Sequence, residues 1–189
     1  MVMAPAPATT GPPVDQWPPW PSPSQWREAN AAIAHLMALY QIPLKPPFPK
    51  GDLQHRAFSI GSAIEALFPT MERLCRRTCP KCEQPCCQVA KPWFDLRDLL
   101  FLHLTDRAMA PSQPIRNNRD HCRYISERGC TLPRIERPWI CTWYLCPTQT
   151  QIMRGEDAEA ARTVEEPLKW IGFQRKRLEV EWINVSVKY

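Results

Sequence analysis

Apolar residues recur at helical spacing in four stretches of the chain, separated by segments rich in proline, cysteine or charge. In the first stretch, Trp26, Ala29, Ile33, Leu36, Met37 and Tyr40 share one face of a helix expected over residues 23–41. Ser22 stands where a cap belongs, Pro23 suits the first helical position, and Gln25 lies where it reaches back to the cap backbone. The second stretch, 52–75, carries Ile60, Ile64, Leu67, Phe68, Met71 and Leu74, and Pro69 is expected to kink or split it. His55 near its start reads as a surface or capping histidine. A third helix begins after Asp95, a capping residue, and carries Leu96, Leu99, Leu100 and Leu104. The last helix is expected from Pro167 to about Trp182, presenting Trp170, Phe173, Leu178 and Trp182, after a charged, solvated, helix-prone stretch at 154–166. Alternation of Val185, Val187 and Tyr189 predicts a short terminal strand.

The intervening segments lack helical periodicity. Residues 76–91 read as a cysteine-rich loop, and 106–150 as irregular or short-hairpin structure wrapped around a metal. Prolines at 5, 7, 12, 13, 18, 19, 21 and 23, around Trp17 and Trp20, make 1–23 an extended arm. Pro43 to Pro49 forms a stiff connector. No repeat of fixed period is present. The pattern predicts a mainly α protein: one small helical domain over 24–189, with an irregular, metal-organised, cysteine-rich middle at 75–147 and little β structure.

Composition sharpens this picture at two points. Of 189 residues, 44% are hydrophobic and 23% charged, so the domain has enough apolar surface to fold without crosslinks. Nine cysteines therefore need another explanation. No apolar run is long enough to span a bilayer, and Met1 to Gly11 lacks the basic and apolar regions of a secretory leader. A cytoplasmic location is expected, where thiols stay reduced and cysteine clusters serve metals or redox chemistry. The formal charge of +5 is too small for a nucleic-acid footprint, and no nucleotide-binding or hydrolase motif is present.

The cysteines fall into three groups. Cys75, Cys79, Cys82, Cys86 and Cys87 lie within 13 residues, Cys122 and Cys130 are separated by seven residues, and Cys141 and Cys146 follow Arg137-Pro138. A C-x2-C turn converges two sulfurs and aims backbone amides at them, which stabilises thiolate charge. Tetrahedral zinc and cubane clusters both take four thiolates, so the first group needs sulfurs from the later ones. Adjacent Cys86 and Cys87 diverge, so they serve two centres or one of them is a spare or redox thiol.

The string from Cys79 to Cys87, then Cys122-x7-Cys130-x-Leu132, then Arg137-Pro138-x-x-Cys141-x4-Cys146, resembles the YkgJ-type cysteine-cluster proteins. That family is described as a zinc- or iron-chelating domain. The resemblance covers about 79–147 and implies Cys79, Cys82, Cys86, Cys87, Cys122, Cys130, Cys141 and Cys146 as metal ligands. Glu83, Gln84 and Pro85 stand where many relatives carry a glycine, and Cys75 lies outside the pattern.

Histidine is scarce near the thiols, with His121 the one neighbour that could replace a sulfur. Cys79-Pro80 and Cys146-Pro147 resemble the Cys-Pro step of ferredoxins, which favours an iron–sulfur cluster over zinc. Arg76, Arg77, Lys81 and Lys91 offset thiolate charge or meet an acidic partner, and Arg134 and Arg137 are placed to donate hydrogen bonds to sulfur. The expected protein is a non-catalytic structural, electron-transfer or sensing module that works with a protein partner or larger complex. The alternatives are a thiol-disulfide or metal-dependent oxidoreductase, and a structural subunit docking through its Trp/Pro-rich arm.

Overall fold

The computed structural model describes residues 21–40, 42, 52–117, 119–127, 129–156 and 158–187. The proline-rich arm up to residue 20, the connector at 43–50 and Tyr189 lie outside these residues. The protein is mainly helical, with one small two-stranded sheet among the described residues.

Helix α1 (Pro23–Leu39) starts as its sequence dictates: Ser22 and Gln25 form a reciprocal capping box and Pro23 opens the helix. Its Trp26 is buried, stacks at a tilt on Phe94 and donates its indole N–H to the Ala110 carbonyl at 2.8 Å. Helix α2 (Leu53–Thr78) begins at Asp52, whose carboxylate accepts the Leu53 N–H, and runs three residues beyond its expected end. Leu53, Ala57, Ile60, Ile64, Leu67, Met71 and Leu74 are all buried, alternating steps of four and three. Pro69 sits inside α2 without splitting it. Its missing N–H removes one bond, while the continuous buried stripe on both sides holds the helix on the core.

Helix α4 (Leu96–Leu104) is capped by Asp95, and Asp98 completes its capping box. Leu99, Leu100, Phe101, Leu102 and Leu104 are buried, so α4 is enclosed on nearly every side. Helices α2, α4 and α7 (Ala158–Ser186) pack on one another, α1 covers α4, and α6 (Pro147–Glu156) fits between α2 and α7. A single hydrophobic core results.

The last helix differs from the expected one. Helix α7 spans Ala158–Ser186, so Pro167 lies within it, and Val185 is helical and not part of a strand. Its buried stripe is Ala161, Val164, Ile171, Leu178 and Trp182, with Leu168 and Val185 partly buried. The charged stretch is thus anchored through Ala161 and Val164, while Trp170 and Phe173 face solvent. Small and aliphatic residues won the core because they continue one three-and-four spacing across Pro167. Trp170 and Phe173 fall off that stripe.

The middle of the chain is only partly irregular. Residues 76–78 belong to α2, Cys79–Lys81 make a 3-10 turn, and Cys86–Val89 form the single helical turn α3. A short hairpin pairs β1 (Ile125–Ser126) with β2 (Gly129–Cys130), with Ile125 opposite Cys130. Gly129 takes φ +101°, a conformation that side chains resist. A second 3-10 turn, Arg134–Glu136, leads to α5 (Trp139–Trp143).

Protein groups pin much of this region. Gln113 exchanges two hydrogen bonds with the Phe94 backbone, and the buried Tyr124 hydroxyl donates to the Ser112 carbonyl. Thr131 N–H returns to the Tyr124 carbonyl. The segment 110–131 therefore carries anchors of its own. Residues 79–91 contain no buried side chain at all.

Candidate metal centre

The nine cysteines are all free thiols, contributed by five elements and the segments between them. Cys75 lies in the last turn of α2 and Cys79 caps it. Cys82 follows the 3-10 turn in extended backbone, and Cys86 and Cys87 open α3. Cys122 precedes the hairpin, Cys130 is in β2, Cys141 in α5, and Cys146 directly before α6. Cys82, Cys87 and Cys141 are exposed and the other six are half-buried.

Two bonds close the first cysteine loop against the second group. Lys91 donates its ammonium to the Asp120 carbonyl at 2.7 Å, and the His121 imidazole lies 2.9 Å from the Gln88 carbonyl. His121 is thereby engaged through Nδ1 at the loop junction. A third link comes from α6. The buried Gln149 accepts the Cys146 N–H at 3.3 Å and donates to Thr78 Oγ1 at 3.1 Å. The same amide points toward Cys75 Sγ at 3.7 Å and Cys79 Sγ at 4.0 Å. A buried amide bound to backbone and aimed at sulfurs is the kind of support that orients thiolate ligands.

The electrostatics follow this assembly. Cys86 hydrogen-bonds Cys87, which raises the Cys86 thiol; burial and the charges of Cys87, Cys79 and Cys146 raise it further. The same bond lowers Cys87 to about 6 against the cost of burial, helped by Arg137 and Arg134. Burial and then Cys75 raise Cys79. Burial raises Cys122, with Cys130 and Cys87 adding to it. Cys141 keeps an exposed surface, yet crowding by the surrounding chain and then Cys122, Cys130 and Cys87 raise its thiol. Like charges brought near one another disfavour ionisation, unless a cation is present to receive them.

The basic residues behave unevenly. Arg134 lies 3.9 Å from Cys75 Sγ and stacks over Phe68. Arg137 donates to the Leu132 carbonyl and acts on Cys87 and Cys141 only through its charge.

Gathering is not chelation. Among the described residues, no three His, Cys, Asp or Glu side chains are grouped so that they could hold one ion. The thiols are soft donors in sufficient number for zinc or an iron–sulfur centre. Gln149 was not singled out from sequence. Its signal is a glutamine three residues after the residue that precedes α6, the spacing of a reciprocal cap.

The position of Cys141 is set by the core. Trp139, in the first turn of α5, donates its N–H to the buried Asp98 carboxylate at 2.9 Å. Asp98 also accepts from Arg175 at 2.7 Å, and the Arg175 guanidinium lies over the Trp139 ring.

The fold and site define a mainly helical protein whose free thiols lie in or beside α2, α3, β2, α5 and α6. No known family model, curated protein or solved structure matches the chain. No helix among the described residues is long and apolar enough to cross a membrane.

Proposed function

We propose that this is a metal-binding protein that holds an iron–sulfur cluster or zinc through cysteine thiolates, in a reducing, cytoplasmic compartment. The observation that carries the reading is the gathering of thiols from far-separated segments around α3, supported by Gln149 and the Lys91 and His121 links. The resemblance of the 79–147 cysteine pattern to YkgJ-type proteins points the same way. Cys79, Cys86, Cys87, Cys122, Cys130, Cys141 and Cys146 act as ligands from both halves of the pattern, with Cys82 the remaining candidate from its C-x2-C step. The metal supplies the charge that lets crowded thiols ionise together and fixes the loops that carry them. As a non-catalytic module, the protein serves a structural, electron-transfer or sensing role beside a protein partner.

One observation favours a second reading. Adjacent, hydrogen-bonded Cys86 and Cys87 give one thiolate near neutral pH, the starting point of thiol–disulfide exchange. A chromogenic thiol titration of native protein separates the two. The metal reading expects most thiols to be silent until a chelator is added, and all to react afterwards. Fast reaction of one or two thiols, with no change on chelation, supports the redox reading instead.

A further inference from the structure

We infer that the outward face of α7 is a docking surface for an anionic lipid bilayer, built from Trp170, Phe173, Lys176, Arg177, Val180 and Val187. The face goes beyond the metal-binding reading and does not depend on it, since α7 carries no cysteine.

Helix α7 is apolar on two sides. Its buried stripe, from Ala161 to Trp182, rests on the core. On the opposite side Trp170 is 42% exposed, Phe173 57%, Val180 56%, Ile183 44% and Val187 77%. Trp170, Phe173, Arg177, Val180, Asn184 and Val187 follow alternating steps of three and four, the spacing that keeps side chains on one helix face. Val187 continues that face, because its N–H still bonds to the Ile183 carbonyl at 3.0 Å. Lys169, Lys176 and Ile183 recur every seven residues and border the row. A helix that only meets water carries polar residues on its outer side. Here five large apolar side chains present on the order of 500 Å² along about 26 Å of helix, the size of apolar patches that mark interaction sites on monomers.

Charge selects the occupant. Between residues 166 and 187 the exposed cations are Lys169, Lys176 and Arg177, against one exposed carboxylate, Glu166, which pairs with Lys169 at 2.8 Å. Glu179 and Glu181 are half-buried and engaged by Arg97 and Arg56. Arg177 lies over the Phe173 ring and reaches Glu181 at 3.4 Å, which seats its guanidinium at the edge of the apolar row. A second copy laid on this face would set three cations against three cations, an arrangement that like charges disfavour. An acidic amphipathic helix docks in a groove between elements, whereas this face is the ridge of a single helix.

A bilayer accepts a ridge. Trp and Phe enter the boundary between headgroups and acyl chains, while Lys and Arg extend their apolar stems to bring charge to the lipid phosphates. Anionic headgroups supply the negative charge that the face lacks.

The test mixes the purified full chain with phosphatidylcholine vesicles, with and without about one third phosphatidylserine, and measures the fraction that sediments with lipid at low and high salt. The expected result is binding to the anionic vesicles alone, weakened by salt. Phe173→Glu combined with Val180→Glu lowers the partition coefficient about a hundredfold, and Lys176→Gln combined with Arg177→Gln lowers it about tenfold. Leu39→Glu, at an exposed leucine of α1, leaves binding unchanged, and helical circular dichroism is the same for every variant. No binding to anionic vesicles overturns the inference, as does equal binding to neutral ones or full binding by the Phe173→Glu, Val180→Glu variant. Concentration-dependent dimerisation abolished by that variant assigns the face to a second copy and overturns it as well. None of these outcomes alters the metal content, so the metal reading stands or falls separately.

Discussion

Asp98→Ala is expected to destabilise the fold by about 3–5 kcal/mol, the usual cost of leaving one member of a buried ion pair alone. The carboxylate is 4% exposed and joins three elements at once. It completes the α4 cap with Asp95, accepts Arg175 from α7 at 2.7 Å, and accepts the Trp139 N–H of α5 at 2.9 Å. Alanine leaves the guanidinium with only the more distant Asp95 at 3.2 Å, and orphans the Trp139 N–H. Arg175→Met is expected to be comparably harmful, because it strands the carboxylate. The double variant Asp98→Ala, Arg175→Met should be milder than the sum of the singles, since it removes both charges together. Urea unfolding of the four proteins measures this. Additive losses would mean that the two residues do not act as a pair.

The same carboxylate gives a pH dependence with a definite sign. Burial raises Asp98 to about 6, with Arg175 opposing. Because the folded value exceeds the ordinary value of 3.8, the folded state holds the proton more tightly than the unfolded chain. This contribution is fully present below about pH 4 and is lost as pH rises through about 6. Asp98→Asn should flatten that part of the stability profile.

The second large effect concerns the metal. Chelation of the purified protein is expected to raise amide exchange in residues 79–91 by a hundredfold or more, on the order of what loss of a metal tie allows. The segment has no buried side chain and is otherwise held by Lys91, His121 and Gln149. Protection in α2, α4 and α7 should persist, because their stripes rest on one continuous core. The 110–131 segment should also stay closed through Gln113 and Tyr124. Equal loss across the whole chain would show that the metal supports the core itself, and no change in 79–91 would show that it does not hold that segment.

Local chemistry made two helix starts legible. Ser22-Pro23-Gln25 and Asp95 are starts whose side chains satisfy the first backbone N–H groups, and the structure uses both; Asp52 caps α2 in the same way but was not singled out. The limits of α7 were not legible in the same way. Pro167 reads as a helix start when taken alone, and the spacing of Ala161, Val164, Leu168 and Ile171 across it is the signal that overrides it. Trp170 and Phe173 mislead because bulk suggests burial while position decides it. Arg175 occupies a stripe position between Ile171 and Leu178, where an arginine is costly without a partner, and that partner lies 77 residues away.

The cysteine groups were legible because spacing alone marks them. Their arrangement was not, since it depends on three long-range contacts: Lys91 with Asp120, His121 with Gln88, and Gln149 with the end of α2. The expectation that metal alone organises 106–150 is narrowed by the anchors at Gln113, Tyr124 and Trp139, which are protein hydrogen bonds. What remains for a metal to organise is the 79–91 loop and the thiols around it.

The most direct test of the central claim is the metal and acid-labile sulfide content of protein purified without oxygen. The account predicts stoichiometric iron with matching sulfide and a broad visible absorption band, or stoichiometric zinc without colour. Neither metal, with all nine thiols free or paired as disulfides, would contradict it.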